Sequence, residues 1–141
     1  MKIRAKRELL ARPADVWAFV SEPHNLADWW PGIAGVHPDR RGSARGGRWE
    51  LTRSGQPSLF RKAGSDEGLV VVDSREESLF AFQLPEDRLE VAVTLEPHAH
   101  DRTLAEVVVS GPILWGTRRL LARHALGRIY DLCQTSADPD D

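Results

Sequence analysis

The sequence predicts a single α+β domain in which a curved antiparallel sheet of about six or seven strands closes over one long C-terminal helix. Residues 11–36 combine helix-start and helix-stop signals with three of the five Trp residues. Residues 88–96 alternate in the manner of a half-buried strand. Residues 113–135 repeat apolar side chains at helical spacing. Strands, two early helices and one late helix together indicate this fold class.

The first elements follow from residues 2–20. Residues 2–10 alternate imperfectly and predict a strand, with Arg7 on its apolar face. Pro13 fits the first turn of a helix, and Asp15 adds negative charge near the positive helix end. The apolar residues of 16–20 complete a short helix. The chain is therefore expected to pass from the first strand directly into a helix.

A second short helix is predicted to open at Ser21 or Pro23. It ends near Trp29 and Trp30, because Pro31 disfavours helix in the residue before it. We expect two adjacent side chains not to face the same way. Of the two Trp residues, the sequence favours Trp30 as the one that faces the interior.

The middle of the chain predicts short strands separated by turns rich in Gly, Pro and Ser. Two of these strands form a hairpin around a turn at residues 76–78. The predicted strands are residues 32–36, 48–53, 59–62, 69–75, 79–84, 88–96 and 103–110.

One long helix is predicted over residues 113–135, with Arg118 in the middle of its apolar stripe. A buried guanidinium needs a partner, since an isolated charge in an apolar site is costly. Arg118 is therefore expected either to anchor a carboxylate or phenolate ligand, or to reach solvent or pair with a nearby Glu. The domain is predicted to span residues 1–137, and residues 138–141 form an acidic tail that is expected to be disordered.

Composition excludes several classes of protein. The net charge of −2 and pI of about 6.2 give no basic field for nucleic acid. Cys133, the single cysteine, cannot form an internal disulfide and is expected to be buried and inert. No stretch approaches the roughly 18 apolar residues that span a bilayer. A cytoplasmic location without integral membrane association or nucleic-acid partners is therefore expected.

The sequence offers weak candidates for catalysis or metal binding. The turn at 98–101 holds two His but lacks the three or four ligands of a zinc site, so no metal is expected. The carboxylate pairs at 66–67, 76–77 and 86–87 fall in predicted turns, where they are expected to be solvated. His24 is expected to help cap the second helix. We therefore assign no catalytic residue and no cofactor from the sequence.

Two segments carry a family resemblance. ARPADVWAFVSEPHNLADWWPGI resembles the opening of polyketide cyclase/dehydrase-type members of the START and birch-pollen-allergen (SRPBCC) superfamily. RLEVAVTLEPHAHDRTLAEVVVSGPILW resembles their last hairpin and the start of the final helix. The resemblance implies a helix-grip fold, with a cavity between the sheet and the C-terminal helix. Members of the superfamily bind lipids, sterols, polyketides, hormones or aromatic compounds, and some catalyse cyclisation or dehydration.

Residues and resemblance together predict binding of a small hydrophobic or amphipathic molecule, of lipid, polyketide or aromatic type, in that cavity. Arg118 is the candidate polar anchor, and the remaining candidates are apolar side chains on the predicted inward faces. These are Trp30, Trp49, Leu51, Phe82, Val91, Val93, Val107, Trp115, Leu121 and Ala125.

Two alternatives stay open. A cyclase or aromatase would need an acid or base inside the cavity, and the inward faces offer Arg7 and Arg118 but no clear Asp, Glu, His or Tyr. An interaction module would have its cavity filled by its own Trp side chains. An exposed apolar patch would favour a protein partner or a homodimer.

Overall fold

A computed structural model describes residues 1–54, 68–112, 114 and 116–137, without the side chains of residues 117 and 134–137. The predicted strand at 59–62, the carboxylate pair at 66–67, Trp115 and the acidic tail lie outside the described residues.

The described elements are seven strands, three α-helices and three short 3-10 helices. The strands are β1 (Lys2–Leu9), β2 (Ile33–Pro38), β3 (Arg48–Arg53), β4 (Leu69–Arg75), β5 (Leu79–Leu84), β6 (Leu89–His98) and β7 (Arg102–Ser110). The α-helices are α1 (Pro13–Val20), α2 (Leu26–Trp29) and α3 (Leu121–Ala137). The 3-10 helices are Pro23–Asn25, Pro85–Asp87 and Gly116–Leu120.

The strands form one curved antiparallel sheet in the order β1-β7-β6-β5-β4-β3-β2, which leaves β1 and β2 at its edges. The long helix α3 packs on β1 and β7, while α1 contacts β5, β6 and β7. The short helix α2 lies between β2 and α3. This confirms the predicted α+β helix-grip architecture.

The apolar core lies between the inner face of the sheet and these helices. Every second residue is buried from Leu89 to Leu95 in β6 and from Thr103 to Val109 in β7, as the alternation predicts. The hairpin of β4 and β5 turns at residues 76–78, where Glu77 adopts a positive φ of 68°. Among the described residues, no helix is both long and apolar enough to cross a membrane.

The final helix begins later than its sequence pattern predicts. Gly116 has a φ of +61°, a left-handed conformation that an α-helix cannot continue through. The chain instead makes a 3-10 helix over Gly116–Leu120 before α3 starts at Leu121. Arg118 therefore precedes α3 and does not lie in its apolar stripe, so that placement was wrong.

The two adjacent Trp residues both turn inward, so the expectation that only Trp30 does so was wrong. Trp29 is 1% exposed and Trp30 is 3% exposed. Trp29 ends α2, but Trp30 has an extended backbone with φ −106° and ψ 128°. Because the backbone changes conformation between them, both rings reach Phe82, with centroids 6.0 and 6.1 Å from it.

Candidate functional site

The interior between sheet and helices is lined by five aromatic rings. Trp29 and Trp30 come from the end of α2, Trp49 from β3, and Phe80 and Phe82 from β5. Trp49 stacks on Phe80 at 5.7 Å, and Phe80 lies 5.8 Å from Phe82. We call these five rings the aromatic cluster. Their contacts make it continuous from β3 to α2.

The indole N–H groups differ in whether they have a hydrogen-bond acceptor. Trp49 Nε1 donates to the Gly42 carbonyl at 2.8 Å, and Trp17 Nε1 donates to the Leu79 carbonyl at 3.0 Å. Trp29 Nε1 is buried and has no acceptor among the described residues. A buried donor left unpaired costs about 1–3 kcal/mol. An oxygen acceptor at this point would remove that cost.

A charged cluster joins three chain segments at one end of the sheet. Arg53, the last residue of β3, places Nη1 2.7 Å from Asp87 Oδ2. Arg118 Nη1 donates to the Asp87 carbonyl at 3.0 Å. The cluster ties the end of β3, the turn between β5 and β6, and the segment before α3.

Asp87 is 8% exposed, so the expectation of a solvated carboxylate pair at 86–87 was wrong. Pro85 opens a 3-10 helix that folds Asp87 inward, and Arg88 returns the chain to β6 through a left-handed φ of 56°. The turn-forming residues were visible in the sequence. The partner that makes burial of the carboxylate tolerable, Arg53, lies 34 residues away and carries no local signal.

Arg53 retains unused hydrogen-bonding capacity. Its Nε and Nη2 are buried and have no partner among the described residues, as is also true of Glu86 Oε1. Arg53 lies opposite Ile33, which follows Trp29 by four residues. The Arg53 backbone therefore lies close to the start of β2, while its side chain reaches the turn that holds Asp87. A guanidinium with two such nitrogens, which carry three N–H groups between them, suits a carboxylate or another oxygen acceptor.

The structure places most predicted lining residues in one apolar core. Trp30, Trp49, Phe82, Val91, Val93, Val107 and Ala125 are each at most 3% exposed. Leu51 and Leu121 are partly buried and pack against that core. Trp115 lies outside the described residues. Their contact with a ligand remains a prediction.

Other candidates lie outside the interior. The Arg7 guanidinium sits 3.5 Å from the centre of the Tyr130 ring, a cation–π contact that explains its place on an apolar strand face. His24 is exposed and contacts Glu22, whose pKa is lowered by the hydrogen bond from His24. Glu22 rather than His24 supplies the helix cap, accepting from the His24 backbone N–H.

The remaining candidates are the two His residues of the turn at 98–101 and the thiol of Cys133. Within the described residues, no group of three or more His, Cys, Asp or Glu side chains could hold a metal ion. His98 contacts Glu8 at 3.0 Å, and His100 contacts Asp101 at 3.2 Å. Cys133 is buried, as predicted, and burial together with nearby Asp15 raises the pKa of its thiol to about 11.

Comparison with known proteins adds a family and a fold. The family model described as "Polyketide cyclase / dehydrase and lipid transport" matches residues 1–133. A search of curated proteins finds no significant match.

Solved structures with the same fold share little sequence with this chain. Protein MLL2253 from Mesorhizobium loti is 14% identical, with a TM-score of 0.68 and 96% of this chain and 98% of that chain covered. The Aha1 dimer from Colwellia psychrerythraea is 15% identical, with a TM-score of 0.65 and coverage of 98% and 99%. DynU16, from the dynemicin biosynthetic locus, is 19% identical, with a TM-score of 0.60. This chain is covered to 96% in that match and spans 48% of DynU16.

Proposed function

Because this chain belongs to the polyketide cyclase/dehydrase and lipid transport family, we propose that it binds a small hydrophobic or amphipathic molecule between the sheet and α3. The ligand would be of lipid, polyketide or aromatic type. Its apolar body would be held by desolvation against the aromatic cluster and the neighbouring Val and Leu side chains. One or two polar groups would set its orientation.

The observation that carries the proposal is that buried donors of Arg53 and Trp29 have no partner in the described part of the chain. In a mostly apolar interior, such donors favour a molecule that brings its own oxygen acceptor. We therefore place the polar anchor at Arg53. Arg118, the anchor expected from the sequence, instead positions Asp87 through its backbone carbonyl.

Close packing sets a condition on binding. Trp29, Trp49 and Phe82 are each at most 1% exposed, so a ligand would have to displace part of the aromatic cluster. If only a fraction of molecules has this cluster displaced at any time, the apparent association constant is the intrinsic one multiplied by that fraction. The same burial supports the second candidate, an interaction module whose interior is filled by its own side chains.

A catalytic role as a cyclase or aromatase has less support than ligand binding. Among the described residues, Asp87 is the one acidic residue classed as buried, and its Oδ2 is occupied by Arg53. A carboxylate held in this way is placed to position Arg53 rather than to take a proton from a substrate.

The test is displacement of the apolar dye N-phenyl-1-naphthylamine by hexadecanoate, with hexadecanol as the matched neutral ligand. Arg53→Lys keeps a cation beside Asp87 but removes the planar Nε and Nη2 donors, which have no partner among the described residues. We expect it to weaken hexadecanoate binding about tenfold, or about 1.4 kcal/mol, while hexadecanol binding changes little. Arg48→Lys, at an exposed position on the same strand, is the control. Native mass spectrometry of the purified protein gives an independent readout of a co-purified ligand.

Failure of both the dye and the fatty acid to bind, with no co-purified mass, would overturn the proposal and favour the filled interior. Binding that Arg53→Lys leaves unchanged would retain a ligand site but remove Arg53 as its anchor.

A further inference from the structure

Among the described residues β1 is an edge strand, and a cleft that is separate from the interior runs between this edge and the start of α3. Its volume is about 840 Å³. Residues 3–7 of β1 form one wall, and residues of the Gly116–Gly127 segment form the other. Five consecutive strand residues line the cleft, as expected when a strand edge rather than one strand face borders it.

Within the described ranges, no strand pairs with the backbone groups of β1 on this edge. The Gly111 N–H donates to the Met1 carbonyl at 3.1 Å, and the pairing of β1 with β7 shows no register shift. Odd-numbered residues of β1 therefore exchange hydrogen bonds with β7. The N–H and C=O groups of the even-numbered residues, including Arg4 and Lys6, point to the free edge.

The cleft is strongly cationic although the whole chain carries a net charge of −2. Its lining holds Arg4, Lys6, Arg7, Arg119 and Arg123, and it includes no Asp or Glu. Arg4 lies 3.6 Å from Glu106, and Arg7 stacks on Tyr130. Within the described part of the chain, the other three cations have no ion pair.

The position of two of these cations is unfavourable for the helix itself. Arg119 and Arg123 lie at the N-terminal end of α3, where the helix dipole favours negative charge. Their arrangement therefore does not serve helix stability, and an incoming anion would relieve it. Leu120, which lies between them, is 56% exposed, and the buried Leu126 also borders the cleft, so the same wall includes apolar side chains.

We propose that this cleft binds an acidic, extended segment of a partner protein, which adds to the free edge of β1 as an eighth strand. Backbone groups at Arg4 and Lys6 would bond the added strand. The side chains of the added strand that face α3 would be acidic and would meet Arg119 and Arg123, while the alternating apolar side chains would lie on its other face. A second copy of this chain is a poor occupant, because pairing β1 with itself brings lysines and arginines together.

The test uses a fluorescein-labelled peptide of alternating Glu and Val, seven residues long. Amide hydrogen exchange is measured residue by residue with and without the peptide. We expect exchange at Arg4 and Lys6 to slow at least about tenfold on binding. Exchange at Ile3 and Ala5 is expected to stay unchanged, since their amides already bond β7. A peptide with Pro at its central positions should bind weakly, because it lacks the backbone donors.

Charge recognition is tested with Arg119→Glu/Arg123→Glu, which we expect to weaken peptide binding at least about tenfold. The control is Arg40→Glu/Arg45→Glu, with the same charge change on an exposed turn away from the cleft. Equal loss of peptide affinity in both double variants would overturn the proposal, because binding would then depend on the net charge of the protein and not on the cleft. Binding without protection of Arg4 and Lys6 would overturn strand addition and leave a simple anion site. Peptide-independent dimerisation in sedimentation experiments, lost on charge reversal, would assign the edge to a second copy.

Discussion

The guanidinium of Arg53 lies 2.7 Å from the Asp87 carboxylate and links the end of β3 to the turn between β5 and β6. The two side chains are only 17% and 12% exposed. A pair buried to this degree contributes little net stability over an apolar pair, but it is costly to break. The pair instead holds the turn between β5 and β6 in place. Arg118 also contacts this turn, because its Nη1 donates to the Asp87 carbonyl.

Asp87→Asn is expected to destabilise the protein by about 2–3 kcal/mol, since it leaves the Arg53 charge buried without its counter-ion. Urea unfolding followed by Trp fluorescence measures the change. Glu106→Gln, which removes the half-buried partner of the exposed Arg4 at 3.6 Å, should cost less than about 1 kcal/mol. The double change Arg53→Met/Asp87→Leu should cost less than the single one. Equal effects of Asp87→Asn and Glu106→Gln would show that the first pair is not shielded from solvent.

The sequence could predict the strands because alternation is a local consequence of a half-buried sheet, and β4, β5 and their turn have the predicted bounds. It could not predict the Arg53–Asp87 pair, because burial of a turn carboxylate depends on a cation from a distant strand. The sequence also could not predict that the Trp29 side chain points inward. Side-chain direction there depends on one backbone change at Trp30, and periodicity assumes that there is none.

Cys133 predicts a pH dependence in the alkaline range. Its thiol pKa is raised from 9.0 to about 11 in the folded state, so the unfolded chain loses this proton first as the pH rises. The free energy of unfolding should therefore be unaffected by Cys133 below about pH 9 and should fall between about pH 9 and 11. Urea unfolding at both ends of that window, for the native chain and for Cys133→Ala, isolates this effect. Parallel losses in the two proteins would show that the thiol has no raised pKa.

The same residue predicts low reactivity. With a pKa of about 11, about one Cys133 thiol in a thousand is ionised at pH 8, and the side chain is buried. Labelling by a thiol reagent in native buffer should be slow and should accelerate on adding urea to the unfolding midpoint. Fast labelling in native buffer would contradict the burial of Cys133.

Two glycines should respond in opposite directions to Ala. Gly127, inside α3, has no atom within 4 Å of an added Cβ, so Gly127→Ala should stabilise the protein by about 0.5–1 kcal/mol through helix propensity. A Cβ at Gly47 would lie 2.3 Å from the Gly42 carbonyl oxygen, so Gly47→Ala should be destabilising. Thermal unfolding of the two variants measures both signs. A destabilising Gly127→Ala would show that the wall of α3 facing β1 is more crowded than its geometry indicates.

Substitution of Phe82 tests how tightly side chains fill the interior. Its ring contacts Trp29, Trp30 and Phe80, with centroids 5.8–6.1 Å away. If these rings fill the interior, Phe82→Ala leaves a void that the neighbours cannot close and costs about 3–5 kcal/mol. Phe82→Leu, which leaves a smaller void, should cost less. The apolar void should also bind a small hydrocarbon such as benzene, which would raise the unfolding temperature of Phe82→Ala but not of the native chain.

The opposite result would be equally informative about the interior. A cost below about 1 kcal/mol for Phe82→Ala would mean that the aromatic cluster rearranges with little loss of contact. Rings that repack so readily could also move aside for a ligand, so this outcome would favour the proposed binding site. If Phe82→Ala costs about 3–5 kcal/mol and benzene binds the variant but not the native chain, the result would favour an interior that its own side chains fill.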